Sequence, residues 1–302
     1  MVGERFSHDT KQNKTGRVFF SGALPLFLLS VVISPAAWAT TITIGDSKDA
    51  TIFGASINEG VPNTEGQNLP NNSNGAGPGL FAGGNGAEAP HRGLIAFDVA
   101  GNVPAGSVIT DVQMTLYLGI VAGSGGEPGQ GDQTPRTISL FHLMADWGEG
   151  TTGSTSTTIG GTGQGFPANS GDATWNARFF PTTLWTTPGG DYRSMPSANL
   201  AVGSQFFAPQ TWHSTPALVA DVQGWLDAPS SNFGWILINA DENDRQTHRG
   251  FFTKESLDPA MHPQLEISYL APVPVPAAVW LFGSGLGAVI GLARRKMNRP
   301  TA

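Results

Sequence analysis

The chain has 302 residues, with 16 Lys+Arg, 23 Asp+Glu and no cysteine, which excludes disulfide staples and thiolate metal sites. The acidic excess is concentrated in the middle: residues 40–272 hold 21 acidic and eight basic side chains. Such a body is repelled by nucleic acid and by anionic lipid, so neither is an expected partner, while a divalent cation would be tolerated.

The amino terminus carries Arg5, Lys11, Lys14 and Arg17, followed by the almost wholly apolar run 18–33. Pro35 ends that run, and Ala37-Trp38-Ala39 supplies a small-x-small cleavage pattern. These features in this order read as a secretory signal peptide over residues 1–39, cut after Ala39. The exported body is rich in Gly, Thr, Asn, Ser and Pro, a composition suited to short strands and long turns. A body of this size can bury an apolar core without covalent staples.

Thr41-Ile42-Thr43-Ile44 and Ala50-Thr51-Ile52-Phe53 are two short strand-like runs around a Gly45-Asp46-Ser47-Lys48 turn. Residues 54–79 read as an Asn/Gly/Pro loop, and a strand resumes over 93–99. Val112, Met114, Leu116, Leu118 and Ile120 alternate with Gln113, Thr115 and Tyr117, the period of a strand with one buried face. The run 137–143 is the next strand and is expected to pair with it; residues 148–171 are Gly/Thr/Ser low complexity and read as a surface loop. One helix is signed by Thr215 as cap, Pro216 in the first turn and the stripe Leu218, Val219, Val222, Trp225 and Leu226. Strands over 233–239, 250–253 and 264–270 close the body. Nine to eleven short strands and one short helix predict an all-β fold, a two-sheet sandwich of jelly-roll type over residues 40–271.

No G-x-S-x-G elbow, phosphate-cradling G-x-x-x-x-G-K or H-E-x-x-H helix is present, so no catalytic residue is assigned. A tripeptide His-Arg-Gly occurs twice, at 91–93 and 248–250, each opening a strand-like run. If those strands are neighbours, Arg92 and Arg249 form a basic spot; otherwise each pairs with a local carboxylate such as Asp98 or Asp244. The acidic stretch Asp241 to Arg245 lacks the order of an EF-hand loop and reads as a solvated turn. No cofactor is required, but a structural Ca²⁺ near the chain ends is open, with Asp46 and Asp49 as its ligands. Trp225 and Trp235 belong to core patterns. Trp147, Trp185 and Trp212 sit among Gly, Thr and Pro, where an indole either stacks on a sugar ring or pins its loop to the body.

The stretches Asp49–Gly54, His91–Leu118, Gly171–Asn176, Val219–Leu237 and Pro263–Tyr269 together resemble the DNRLRE domain. That family is related to the disaggregatase repeat and to a group of carbohydrate-binding modules. The resemblance implies a β-sandwich of secreted and surface bacterial proteins, some of which attach to polysaccharide, and it does not imply catalysis. The end of the chain, "VPVPAAVWLFGSGLGAVIGLARRK", resembles the PEP-CTERM sorting signal over residues 272–302. Its motif falls on Pro274, Val275 and Pro276, with Val275 where the name-giving Glu would stand. Residues 277–293 carry no charge and are just long enough to span a bilayer, and Arg294, Arg295 and Lys296 form the basic stop on the cytoplasmic side. The resemblance implies processing by an exosortase at the inner membrane of a Gram-negative, exopolysaccharide-producing bacterium, with delivery to the cell surface or extracellular matrix.

The expected protein is therefore a non-catalytic envelope or biofilm-matrix component whose sandwich binds exopolysaccharide. A structural or adhesive surface protein with no sugar site is the alternative. A polysaccharide lyase or hydrolase is a further one, since paired carboxylates for glycoside chemistry need no local motif.

Overall fold

The structure, a computed structural model, describes residues 38–56, 69–153, 159 and 164–272. Ala37, Pro274, Val275, Pro276, Arg294, Arg295 and Lys296 lie outside the described residues. Along the chain run β1 (Ala39–Phe53), β2 (Asn72–Ser73), β3 (Gly79–Gly84), β4 (Pro90–Phe97), the single-turn helix α1 (Val99–Asn102), β5 (Val108–Val121) and β6 (Arg136–His142). There follow β7 (Phe166–Pro167), β8 (Ala177–Phe179), β9 (Thr183–Leu184), β10 (Ala198–Val202), β11 (Pro209–Trp212) and helix α2 (Pro216–Asp227). The strands β12 (Trp235–Asn239), β13 (Arg249–Phe252) and β14 (Gln264–Leu270) complete an all-β body.

The strands form two groups. In one, β10, β6, β12, β4 and the second half of β1 lie side by side. In the other, β3, β13, β5 and β14 run to the first half of β1, with β11 also on β5. The corner is β1 itself: residues 39–45 pair with β14, and residues 46–53 pair with β4 past a register shift between Asp46 and Lys48. The expected pair of strands around a turn is thus one bent strand. A bulge supplies the change of direction that the turn residues imply.

The alternation in β5 does what the pattern requires. Val112, Met114, Leu116 and Leu118 are buried, and they meet Ile95, Leu140, Trp235 and Leu265 from both groups in one apolar core. The expected pairing of β6 with β5 is not formed. β6 pairs with β12 and β10 instead, because the long 122–135 connection carries the chain to the opposite group.

Helix α2 starts as its sequence directs. Thr215 Oγ1 accepts from the Leu218 N–H at 3.0 Å, and Leu218, Val222 and Trp225 are buried against β5 and the core. Asp221, on the same helix, docks it polar-side as well: its carboxylate accepts from Arg193 Nη1 (3.0 Å), Ser197 Oγ (2.5 Å) and Trp235 Nε1 (2.9 Å), with His142 Nδ1 at 2.9 Å.

Candidate functional site

The three tryptophans expected on loops are not binding platforms. Trp147, Trp185 and Trp212 are 1%, 4% and 0% exposed, so no ring face is open to a ligand. Each indole N–H reaches a backbone carbonyl at 2.9 Å: Trp147 to Phe233, Trp185 to Thr174 and Trp212 to Ile138. In loops otherwise made of small and polar residues, the indole is the one side chain able to bury a large area while still satisfying its donor. Trp147 and Trp185 pin loops to the body, the second of the two roles open to them, whereas Trp212 ends strand β11, pairs with Met114 and belongs to the core. Trp225 and Trp235 are core, edge to face at 4.5 Å.

The two His-Arg-Gly repeats come close without making a basic spot. β4 and β13 are separated by β3, and His91 and His248 stand 6.1 Å apart in the interior. Arg249 is fully buried; Nη1 donates to Asp132 Oδ2 at 3.0 Å and Nε to the Gly203 carbonyl at 3.0 Å. Arg136 donates to the same Asp132 carboxylate at 2.8 Å and to Asp241 at 2.8 Å. Burial acts to raise the Asp132 pKa, but the Arg136 and Arg249 hydrogen bonds outweigh it and hold the group at about 2. Arg249 is therefore a buried tie. Arg92 faces the other way and pairs bidentately with Glu242 at 3.0 and 2.6 Å. Burial disfavours its charge, and the Glu242 contacts overcome that and keep its pKa above the ordinary value. The carboxylate partners are Glu242 and Asp132, distant in sequence, in place of Asp98 and Asp244.

Arg92 lines a cleft on the surface of the body. The cleft encloses about 500 Å³ and is lined by Arg92, Met144, Ala145, Thr186, Thr187, Pro188, Gly190, Asp191 and Tyr192. The Arg92 guanidinium sits 4.6 Å from the Trp175 ring and 5.6 Å from the Tyr192 ring. Its Nη1 also donates to the Gly189 carbonyl at 2.8 Å. That close approach explains the glycine: φ is +94°, and a Cβ there would stand 2.7 Å from Arg92 Nη1. Asp191 shapes the rim, its carboxylate accepting the Thr186 and Thr187 N–H groups at 2.9 Å each. Tyr192 is fixed by a bridge to Leu143, and the Arg193 N–H donates to the His142 carbonyl at 2.9 Å. The result is a hollow with one half-buried aromatic ring, Tyr192, threonines on an exposed rim, and a guanidinium whose charge is already matched. A hollow of this size and mixture suits a sugar unit or two, with apolar ring contact and hydroxyl hydrogen bonds.

Asp46 and Asp49 are brought together at the β1 corner, their carboxyls within hydrogen-bonding reach of each other. Asp49 is fully buried, and burial with the adjacent Asp46 pushes its carboxyl well above the usual range; burial likewise raises Asp46. Glu149 and Glu255 close in from two other segments, and carboxylate oxygens of Asp49, Glu149 and Glu255 lie within 4.8 Å of one another. Lys254 is ion-paired with Glu149, with Glu255 at 3.0 Å, and stands 3.8 Å from Asp49.

Sequence reasoning missed Trp175, Tyr192, Glu149 and Glu255 as site residues. Glu149 lies at the start of a low-complexity stretch, where composition hides a single functional side chain.

A scan of protein-family models matches none to this chain, and no curated protein matches it.

Proposed function

We propose that this is an exported, non-catalytic bacterial envelope or biofilm-matrix protein whose β-sandwich, of jelly-roll type and DNRLRE-like, binds polysaccharide in the cleft above Arg92. The observation that carries the reading is the cleft itself, lined by Tyr192 beside the Arg92 guanidinium and by Thr186 and Thr187 at its exposed rim. Non-catalysis is supported by the carboxylate inventory of the lining. Asp191 is the only carboxylate among the lining residues, and both its oxygens already accept backbone N–H groups. Glycoside cleavage calls for a pair with a free acid and base. Export rests on the signal-peptide pattern before Ala39, and sorting by an exosortase on the Pro274-Val275-Pro276 motif, the apolar run and the basic end.

Binding of the full-length chain to immobilised bacterial exopolysaccharides tests the cleft. Tyr192→Ala or Thr187→Ala should lower affinity, by roughly tenfold for the tyrosine, while leaving the melting temperature within a few degrees. Trp147→Ala should instead destabilise by about 3–5 kcal/mol. Undiminished binding in both cleft variants refutes the assignment. Mass spectrometry of the secreted protein, with and without exosortase in the cell, tests the tail: a terminus at Ala302 in both sinks the sorting proposal.

A further inference from the structure

Among the described residues, five carboxylate oxygens at the β1 corner have no hydrogen-bond donor from outside the acid cluster: both of Asp46, both of Asp49 and Oε2 of Glu255. A buried carboxylate normally collects several donors, because an uncompensated one costs far more than its burial returns. Asp49 is the extreme case, being 0% exposed with neither oxygen bonded from outside the cluster. Its own N–H is turned to Glu149 Oε1 at 2.9 Å, which places the second carboxylate against the first. Among the described residues, Lys254 is the one cation ion-paired with these acids, and at 3.8 Å it is out of hydrogen-bond reach of Asp49. The neighbouring Lys48 is committed elsewhere, to Asp146 at 2.7 Å and to the Trp147 carbonyl at 2.8 Å. Four acids thus share one ammonium.

We propose that Asp49, Glu149 and Glu255 bind a single Ca²⁺ ion, with Asp46 completing the acidic shell beside Asp49 and Lys254 occupying the ion's place when the metal is absent. The spacing fits: oxygens on opposite sides of a Ca²⁺ are about twice 2.3–2.6 Å apart, which accommodates the 4.8 Å limit on Asp49, Glu149 and Glu255. Carboxylates alone, without thiolate or imidazole, select a hard cation. A cage of carboxylates suits Ca²⁺ over Mg²⁺, which keeps most of its waters and demands a tighter octahedron. The ligands come from the β1 bulge, from the loop after Trp147 and from the turn after β13, so the ion ties three segments that share no strand pairing at that point. The proposal stands whether or not the cleft binds sugar.

The test uses the purified full-length chain and the metal alone. Millimolar Ca²⁺ added over a chelator should raise the melting temperature by roughly 5–10 °C, and Mg²⁺ should raise it much less. Tb³⁺ should bind in its stead and luminesce on tryptophan excitation, Trp147 being two residues from Glu149, and Ca²⁺ should quench that signal by displacement. Lys254→Met separates the two roles of the lysine. With Ca²⁺ displacing the ammonium, the variant melts lower in chelator, recovers fully with Ca²⁺ and binds it roughly tenfold more tightly. Asp49→Asn abolishes the Ca²⁺ shift. The proposal is overturned if neither wild type nor Lys254→Met responds to Ca²⁺, which would make Lys254 the permanent counter-ion. An equal shift with Mg²⁺ overturns the choice of metal.

Discussion

Asp221 and Asp49 are both buried aspartates, 3% and 0% exposed, and their surroundings are opposite. Around Asp221 the fold gathers a guanidinium, a hydroxyl, an indole N–H and an imidazole, so each oxygen has two partners. Burial acts to raise its pKa, and the hydrogen bonds from His142, Ser197 and Trp235 overcome that and lower it. Around Asp49 the fold gathers more carboxylates. One buried charge is finished by the protein and holds α2 in place. The other is left for something the chain does not itself provide. The same contrast separates Arg249, tied off on all sides, from the Arg92 cleft, whose aromatic neighbours remain half exposed.

The contrast can be broken by substitution. Asp221→Ala strips partners from four donors at once and should cost about 3–5 kcal/mol, with or without Ca²⁺. A loss under about 1 kcal/mol by chemical denaturation would show that the hub is dispensable. Asp49→Asn in chelator should have the opposite sign. It removes a charge that lacks a donor and gives Asp46 one, so at pH 7 the variant should be more stable than wild type by about 1–2 kcal/mol. Because the Asp49 pKa is raised in the fold, its contribution is favourable below the unfolded value near 3.8 and is lost as pH rises through the folded one. The advantage of Asp49→Asn should therefore shrink on acidification, and a pH-independent difference would contradict the assignment.

A smaller effect sharpens the comparison from the basic side. His91 is fully buried with neither ring nitrogen hydrogen-bonded, and burial followed by the nearby His248 lowers its pKa to about 3; burial brings His248 to about 4. Both are neutral in the fold and protonate when unfolded below 6.5. Their contribution is thus complete above pH 6.5 and is lost as pH falls towards 4 and 3, at up to about 1.4 kcal/mol per pH unit for each ring. His91→Leu should leave stability at pH 7 within about 1 kcal/mol and remove about half of that slope between pH 6 and 4. An unchanged slope in denaturation curves would exclude the pair as its source.

The sequence exposed those parts of the fold that are written locally. The alternation from Val112 to Ile120 declares a one-sided strand because successive side chains must face opposite ways, and Thr215-Pro216 declares a helix start because the first N–H groups need an acceptor. Which strand neighbours which was not local information: β6 (Arg136–His142) joins β10 (Ala198–Val202) and β12 (Trp235–Asn239), both far along the chain. The tryptophans show the same limit. Gly/Thr/Pro surroundings identify Trp147 and Trp185 as loop residues but mislead at Trp212, which ends strand β11, and whether a loop folds back is decided by the surface it meets. At the acidic corner, Asp46 and Asp49 are legible as a pair of candidate ligands, although the sequence placed Asp46 in a turn and the structure makes it part of one bent strand. Glu149 and Glu255 are brought to them only by the closure of the whole body.

The pairing of Ala39 with Leu270 has a mechanical consequence. β1 and β14 are antiparallel, so the points where the chain enters and leaves the body are at the same end of the same ladder. Tension applied between those two points would open the seven register pairs one after another, like a zipper, from Ala39–Leu270 towards Gly45–Gln264. A shear pull along the strands would load all of them together and resist far more. A body fastened by both ends is thus easily peeled, whereas one fastened at a single end carries no load across this seam. Removal of the segment preceding Ala39 would by itself convert the first arrangement into the second.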